Sequence, residues 1–186
     1  MVIAFEGIDG CGKDTQIKLL SDYLTKAGKD HIVINSCSSE LLSKIIRSKL
    51  KDDNTDNRQL AALFIAEQYE HLKAIHQALN DGKVVILNRS FYSTIVYNSG
   101  CIKETEAIKI LSIPISIKYV IYLDVGVNTA LNRLSSRDTE RELFETKEQL
   151  ERVYVGYCYF KKEFLVVDGE RPTLDVHNNI LQLIRL

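Results

Sequence analysis

The run Gly7-Ile-Asp-Gly-Cys-Gly-Lys13 has the composition of a polyphosphate cradle. Its glycines let the backbone turn tightly and aim consecutive N–H groups inward, where the helix that follows adds its positive dipole end. Lys13 then sets an ammonium against the outer phosphates, completing the Gly-x-x-x-x-Gly-Lys part of a phosphate-binding loop. The next position of that motif holds a hydroxyl for magnesium; this chain has Asp14 there and Thr15 after it. Gly7, Ile8, Asp9, Gly10, Cys11, Gly12, Lys13, Asp14 and Thr15 are therefore the expected ATP-phosphate set. A carboxylate at Asp14 lies in the first helical turn, where it is favourable by about 0.3–1 kcal/mol, and it can hold magnesium through water.

Other residues have types and spacings suited to the same chemistry. Arg89 follows a continuous apolar run and can clamp a phosphate bidentately; the alternative is a surface arginine at a strand end. Ser93 and Tyr97 follow at intervals of four, on the face Arg89 would occupy if the helix included it. Phe64 and Gln68 are one helical turn apart, so Phe64 can stack on a base while the Gln68 amide donates to and accepts from a pyrimidine edge. By spacing alone Phe64, among Leu60, Ala61, Leu63 and Ile65, reads equally as core. Arg133, Arg137 and Arg141 recur every fourth residue, which on one continuous helix costs about 0.2–0.5 kcal/mol per like-charged pair unless an anion lies across them. They read as a phosphate-covering lid at about 133–145, or, with Asp138, Glu140 and Glu142 interleaved, as a solvated helix. The histidines have no metal-ligand spacing, and Cys11 reads as a packing atom rather than a nucleophile.

The elements that must position these residues follow from hydrophobic period and breakers. Apolar runs at Val2 to Phe5, His31 to Asn35, Lys83 to Leu87, Lys118 to Leu123 and Phe164 to Val167 read as strands. Between them, helical spacing runs from Lys13, around Leu41 to Leu50, from Thr55 or Asp56 to about Asn80, near Ser90 to Ser99 and Lys103 to Leu111, and from Asn128 to about Lys161; a last helix starts with Pro172 in its first turn. Alternation of this kind demands a parallel sheet with helices on both faces, with the ligand site outside the carboxyl ends of the strands. At 186 residues and 45% hydrophobic content the chain fills one domain, residues 1–186. A net charge of −1 gives no bulk attraction to nucleic acid or to a membrane surface. The four scattered cysteines fit neither zinc nor a disulfide framework and favour a reducing, cytoplasmic compartment, with no signal peptide or membrane span expected.

With those residues in place, the chain resembles the thymidylate kinases, members of the P-loop nucleoside-monophosphate kinases, over nearly its whole length. The resemblance is carried by Phe5-Glu-Gly-Ile-Asp-Gly-Cys-Gly-Lys-Asp-Thr-Gln16, Leu63-Phe64-Ile-Ala66, the segment Val84 to Tyr97, Tyr122-Leu-Asp-Val125 with Ala130-Leu-Asn-Arg133, and Val166-Val-Asp-Gly169. It implies a three-layer αβα P-loop kinase fold with a five-stranded parallel sheet and a short lid. It also implies transfer of the γ-phosphoryl of ATP to dTMP, giving dTDP and ADP, with Mg2+ as cofactor and a homodimer as the assembly. On this resemblance Lys13, Arg89, Arg137, Arg141 and Asp9 are catalytic, Arg133 packs on adenine, and Asp9, Phe64, Gln68, Arg89, Ser93 and Tyr97 bind dTMP. Magnesium falls to Thr15, Asp9 and Asp14.

Three positions depart from the family pattern. Asn35-Ser-Cys37 replaces an Arg-Glu-Pro loop, leaving Arg47 to compensate; Asn88 replaces the aspartate before Arg89; and Gln68 replaces an arginine that faces the thymine O4. Gln68 opens the acceptor site to dUMP or 5-substituted dUMP. Together with Asn88-Arg-Ser-Phe-Tyr-Ser93 it also resembles the deoxyribonucleoside kinases, with Glu40 the nearest carboxylate to a sugar-hydroxyl base. A non-catalytic nucleotide-binding module is the third reading, if weakened magnesium ligands abolish turnover.

Overall fold

The computed structural model describes residues 1–52, 54–98, 115–136 and 144–185. Five parallel strands, β1 (Val2–Glu6), β2 (His31–Asn35), β3 (Val84–Asn88), β4 (Tyr119–Asp124) and β5 (Leu165–Asp168), form one sheet in the order β2-β3-β1-β4-β5. Among the described residues, seven helices join or flank them: α1 (Lys13–Lys26), α2 (Ser43–Leu50), α3 (Asn57–Asn80), α4 (Phe91–Tyr97), α5 (Val127–Ser135), α6 (Lys147–Cys158) and α7 (Thr173–Ile184), with a 3₁₀ turn at Lys161–Glu163. This is the three-layer αβα P-loop kinase architecture.

Burial on both faces explains why β1 and β3 read as unbroken apolar runs rather than alternating ones. Ile3, Phe5 and Ile86 enter one core cluster, whereas Val2, Ala4, Val85 and Leu87 enter a second with Ile75 and Ala78 of α3. Register aligns the carboxyl tips: Phe5 lies opposite Asn88, Asn35 opposite Asn88, Glu6 opposite Tyr122 and Asp124 opposite Asp168. The reversal of chain order falls beside β1, and the loop leaving β1 therefore opens into a crevice at the sheet edge.

Several expected boundaries are corrected. The helical spacing from Asn128 to about Lys161 is not one helix: α5 stops at Ser135, Ser136 caps it, and α6 starts anew at Lys147 with Thr146 accepting from the Gln149 N–H. A serine hydroxyl returning to the Arg133 carbonyl competes with helix continuation at this point. Pro172 sits one residue before the last helix as its N-cap, with ψ 139°, rather than inside the first turn. Arg89 is not part of α4, because Ser90 is the N-cap and Arg89 itself has φ +77°. The helix expected at Lys103 to Leu111, and Cys101, lie outside the described residues. Among the described residues, Cys11, Cys37 and Cys158 form no disulfide. No helix among the described residues is long and apolar enough to cross a membrane.

Candidate active site

The glycine loop is shaped by three positive-φ positions, Gly7, Gly10 and Gly12. Gly10 has φ +80°, and a Cβ there would lie 2.6 Å from the Ala130 carbonyl oxygen, so the loop packs against α5 more closely than any side chain permits. Gly12, at φ +100°, is the N-cap from which α1 starts, leaving the first N–H groups of α1 without a capping side chain. Those N–H groups and the dipole end make the loop an anion site. Cys11 is buried, as a packing atom should be. Lys13 lies along the loop interior, its Nζ donating to the Gly7 and Ile8 carbonyl oxygens at 3.0 Å each.

Arg89 is the hub of a cluster beside the glycine loop. Its Nη2 pairs with Asp9 Oδ1 and donates to the Tyr97 hydroxyl at 2.9 Å, while Nη1 donates to Ser93 Oγ at 3.1 Å and to the Gly7 carbonyl at 3.2 Å. Tyr97 also donates to Asp9 Oδ2 at 2.8 Å, so both Asp9 oxygens are engaged. Burial pushes the Asp9 carboxyl up, but the Arg89 and Lys13 charges and the Tyr97 hydrogen bond outweigh it and hold it below the usual carboxylate range. Burial works against the Arg89 charge, and the surrounding hydroxyls and carboxylates overcome it, keeping the guanidinium fully charged. Asp9, Arg89, Ser93 and Tyr97, separated in sequence by up to 88 residues, are thus one cluster.

Phe64 and Gln68 of α3 line the cavity that opens from this cluster, together with Thr94 and Phe144. Gln68 Nε2 donates to Thr94 Oγ1 at 2.7 Å, which orients the amide, and Gln68 Oε1 is buried with no protein partner. On the opposite side of the glycine loop, Arg133 Nη1 donates to the Cys11 carbonyl at 3.3 Å and Nη2 to the Gly169 carbonyl at 3.0 Å. Arg133 therefore bridges the loop to the segment after β5, and lines a second cavity with Gly12, Thr15, Arg171 and Thr173. A polar channel lined by Gly12, Lys13, Asp14, Arg47 and Arg89 joins the two sides.

Asp14 is exposed at the channel mouth and accepts from Asn88 Nδ2 at 2.7 Å; the same amide donates to Asn35 Oδ1 at 3.1 Å. Asp14, which departs from the phosphate-loop motif, and Asn88, which departs from the family pattern, are therefore bonded to each other. Arg47 donates to the Cys37 carbonyl at 3.2 Å, which holds it at the channel. Glu40 is exposed and its helix-side neighbours do not bring it to the cluster. Arg137 and Arg141 lie outside the described residues.

Sequence reasoning missed four residues. Glu6, wholly buried at the tip of β1, accepts from the Ser90 N–H and hydroxyl at 2.7 Å each, from Ser93 Oγ at 2.5 Å and from Tyr157 at 2.7 Å. The signal available was a charged residue ending an otherwise apolar strand. Glu67 accepts from three successive N–H groups, Cys37, Ser38 and Ser39, at 3.0, 2.9 and 3.2 Å, and so shapes the loop where the family has Arg-Glu-Pro. Thr94 and Tyr157 carried no sequence signal, since only packing of α3 and α6 on α4 reveals them.

This arrangement, an anion-binding loop between two cavities with a charged arginine on one side, suits phosphoryl transfer between two bound nucleotides. The family model described as thymidylate kinase matches residues 5–180. The chain is 34% identical to a thymidylate kinase of Fervidobacterium nodosum, covering 98% of both chains. It is 35% identical to a probable thymidylate kinase of Methanocaldococcus jannaschii, covering 100% of this chain and 96% of that one. It is 30% identical to a thymidylate kinase of Thermoanaerobacter, covering 98% and 96%. With a match that spans the glycine loop, the Arg89 cluster and the strand before α7, the chain belongs to the thymidylate kinase family of ATP-dependent nucleoside-monophosphate kinases.

Proposed function

We propose that the chain transfers the γ-phosphoryl of ATP to the 5′-phosphate of dTMP, with dUMP as a second acceptor. The observation that carries this reading is Arg89, a permanently charged fork held by Asp9 and Tyr97 between the glycine loop and the Phe64–Gln68 cavity. A monophosphate entering that cavity base-first sets its phosphate at the Arg89 fork, where bidentate recognition is strongest. Arg47, at the same channel, is the second cation within the described residues that suits it.

Phosphoryl transfer asks the protein for alignment and charge neutralisation rather than covalent chemistry. The α1 N-terminus and Lys13 hold the outer phosphates of the donor, with Lys13 exchanging its two carbonyl bonds for phosphate oxygens. Arg133, fixed between Cys11 and Gly169, walls the donor base. The hard oxygens of Asp14 and Thr15 fit Mg2+, which is bound through few carboxylates plus substrate phosphates. Asp9 is less suited, since Arg89 and Tyr97 occupy both of its oxygens. Asp14 and Thr15 would hold magnesium there, and it would supply positive charge to offset the donor phosphates. Gly10 supplies no cation to the transferring group, and we assign that task to the lid arginines, Arg137 and Arg141.

Base selection rests on Gln68. With its nitrogen committed to Thr94, its free oxygen accepts an N–H, which the N3 position of thymine and uracil supplies. Neither atom of that amide reads the 5-methyl group. The nucleoside-kinase reading requires a carboxylate base at a sugar hydroxyl, whereas Glu67 is spent on three backbone N–H groups and Asp9 on Arg89. We further place the protein in the cytoplasm as a homodimer, on the family resemblance alone. The test is ADP release with ATP and magnesium on dTMP, dUMP, dCMP and thymidine in parallel. Turnover of dTMP and dUMP above dCMP and thymidine is expected; turnover of thymidine without dTMP overturns the reading.

A further inference from the structure

Arg89 has a backbone conformation that a non-glycine residue adopts at a cost of about 1–3 kcal/mol and keeps only where its surroundings over-determine it. Two consecutive residues at the tip of β1 do so. The Arg89 N–H donates to the Phe5 carbonyl at 3.0 Å, and the next N–H, of Ser90, donates to Glu6 Oε1 at 2.7 Å. The left-handed residue is thereby pinned on both sides. The Ser90 hydroxyl reinforces the second pin by donating to the same Glu6 oxygen at 2.7 Å.

Glu6 also governs the other end of the side chain. An ionised carboxylate only accepts, so the Ser93 and Tyr157 hydroxyls, at 2.5 and 2.7 Å from Oε2, turn their protons toward it. Their lone pairs then face Arg89 Nη1, 3.1 Å from Ser93 and 3.5 Å from Tyr157. Burying a carboxylate at full depth is costly unless every lone pair is used, and here four donors use them. Among the described residues no side-chain cation pairs with Glu6, and the charged group it meets through those hydroxyls is Arg89. That pattern differs from a structural ion pair, in which the carboxylate would meet the cation directly.

We propose that Glu6 is a positioning residue for the acceptor phosphate: it holds the left-handed backbone of Arg89 and sets the hydroxyl polarity that aims its guanidinium. The proposal rests on Arg89 receiving the acceptor phosphate, and its test separates the two ideas. Affinities of dTMP, of thymidine and of ATP are measured by calorimetry on the parent, Glu6→Gln, Arg89→Ala, the pair combined, and Tyr157→Phe. The preference for dTMP over thymidine reports the phosphate contact alone. Arg89→Ala should cut that preference about 10–100-fold, as loss of hydrogen bonds to a charged group implies. Glu6→Gln should cut it about tenfold, leave thymidine and ATP affinity within about twofold, and add nothing in the Arg89→Ala background. If Glu6→Gln fails to fold, Tyr157→Phe, which keeps the carboxylate and Ser93 but removes one hydroxyl of the relay, should show the same selective loss at a smaller size. A parallel weakening of all three ligands, or an unchanged preference in the folded variants, overturns the role of Glu6. An unchanged preference in Arg89→Ala overturns the acceptor-phosphate reading on which it depends.

Discussion

At the scale of single residues, Arg89 differs from any lysine in offering a planar fork to two partners at once. Asp9 and Tyr97 meet one nitrogen while Ser93 and Gly7 meet the other, a division a compact ammonium cannot reproduce. Arg89→Lys should therefore lower kcat/KM for dTMP by about 10²-fold, the penalty for a misplaced positioning group, with the KM for ATP little changed. Steady-state kinetics with each substrate varied in turn checks this, and equal losses for both would refute it. Asp14 and Asn88 make a second residue-scale case. Asn88→Asp sets two carboxylates where an amide donates at 2.7 Å, so it should cost about 1 kcal/mol, and adding Asp14→Asn should recover most of it by restoring an amide–carboxylate pair in the opposite sense. Urea melts of the three variants give the coupling, and additive losses would show that the contact has no energetic content.

At the scale of elements, α7 packs on α1 with a titratable ring in the contact. His177 is 8% exposed, its ring meets the Tyr23 ring edge-on at 6.4 Å, and its Nδ1 has no partner. Burial pushes its pKa below the ordinary value. A histidine of this kind contributes full stability above its unfolded pKa of about 6.5 and loses it as the pH falls below, because the unfolded chain takes up the proton first. His177→Phe should thus lose less stability than the parent between pH 8 and pH 5.5, and indistinguishable losses in paired urea melts would exclude His177 as the cause. The elements themselves were largely legible because β1 and β3 are apolar runs with breakers on either side, and because Gly12 and Asp56 mark the helix starts that the structure shows. The break in the single helix expected from Asn128 to about Lys161 was not legible, since periodicity is blind to the stop at Ser135 and Ser136. Of the Glu6 network, only the charged residue ending an apolar strand was legible. Its partners are 84, 87 and 151 residues away, and only the sheet order and the packing of α6 on α4 bring them to one carboxylate.

At the scale of the whole molecule, the strand order separates two cavities, which we assign to acceptor and donor. The acceptor cavity lies among α3, α4 and the loops after β2 and β3, the donor cavity among α1, α5 and the loop after β5, and the glycine loop leaving the central strand stands between them. A ligand that binds only the folded chain stabilises it by about 2.7 kcal/mol at 100 times its Kd. For a chain of this length each kcal/mol moves Tm by about 2–4 °C, so saturating dTMP should raise Tm by roughly 5–11 °C. A non-hydrolysable ATP analogue with magnesium should do the same through a different region. Amide hydrogen exchange distinguishes the two: dTMP should protect α4 and the loop from Ser36 to Ser39, which Glu67 already holds to α3, whereas the analogue should protect the first turn of α1 and the segment from Gly169 to Thr173, which Arg133 ties to Cys11. Protection of the same amides by both ligands would mean that dTMP occupies the donor cavity, and transfer between two nucleotides held on opposite sides of the loop would then fail as the mechanism. Protection of separate regions, with the glycine loop slowed by either ligand, is the pattern that an alignment mechanism requires, because both phosphate chains must converge on Lys13 and Arg89 across that loop.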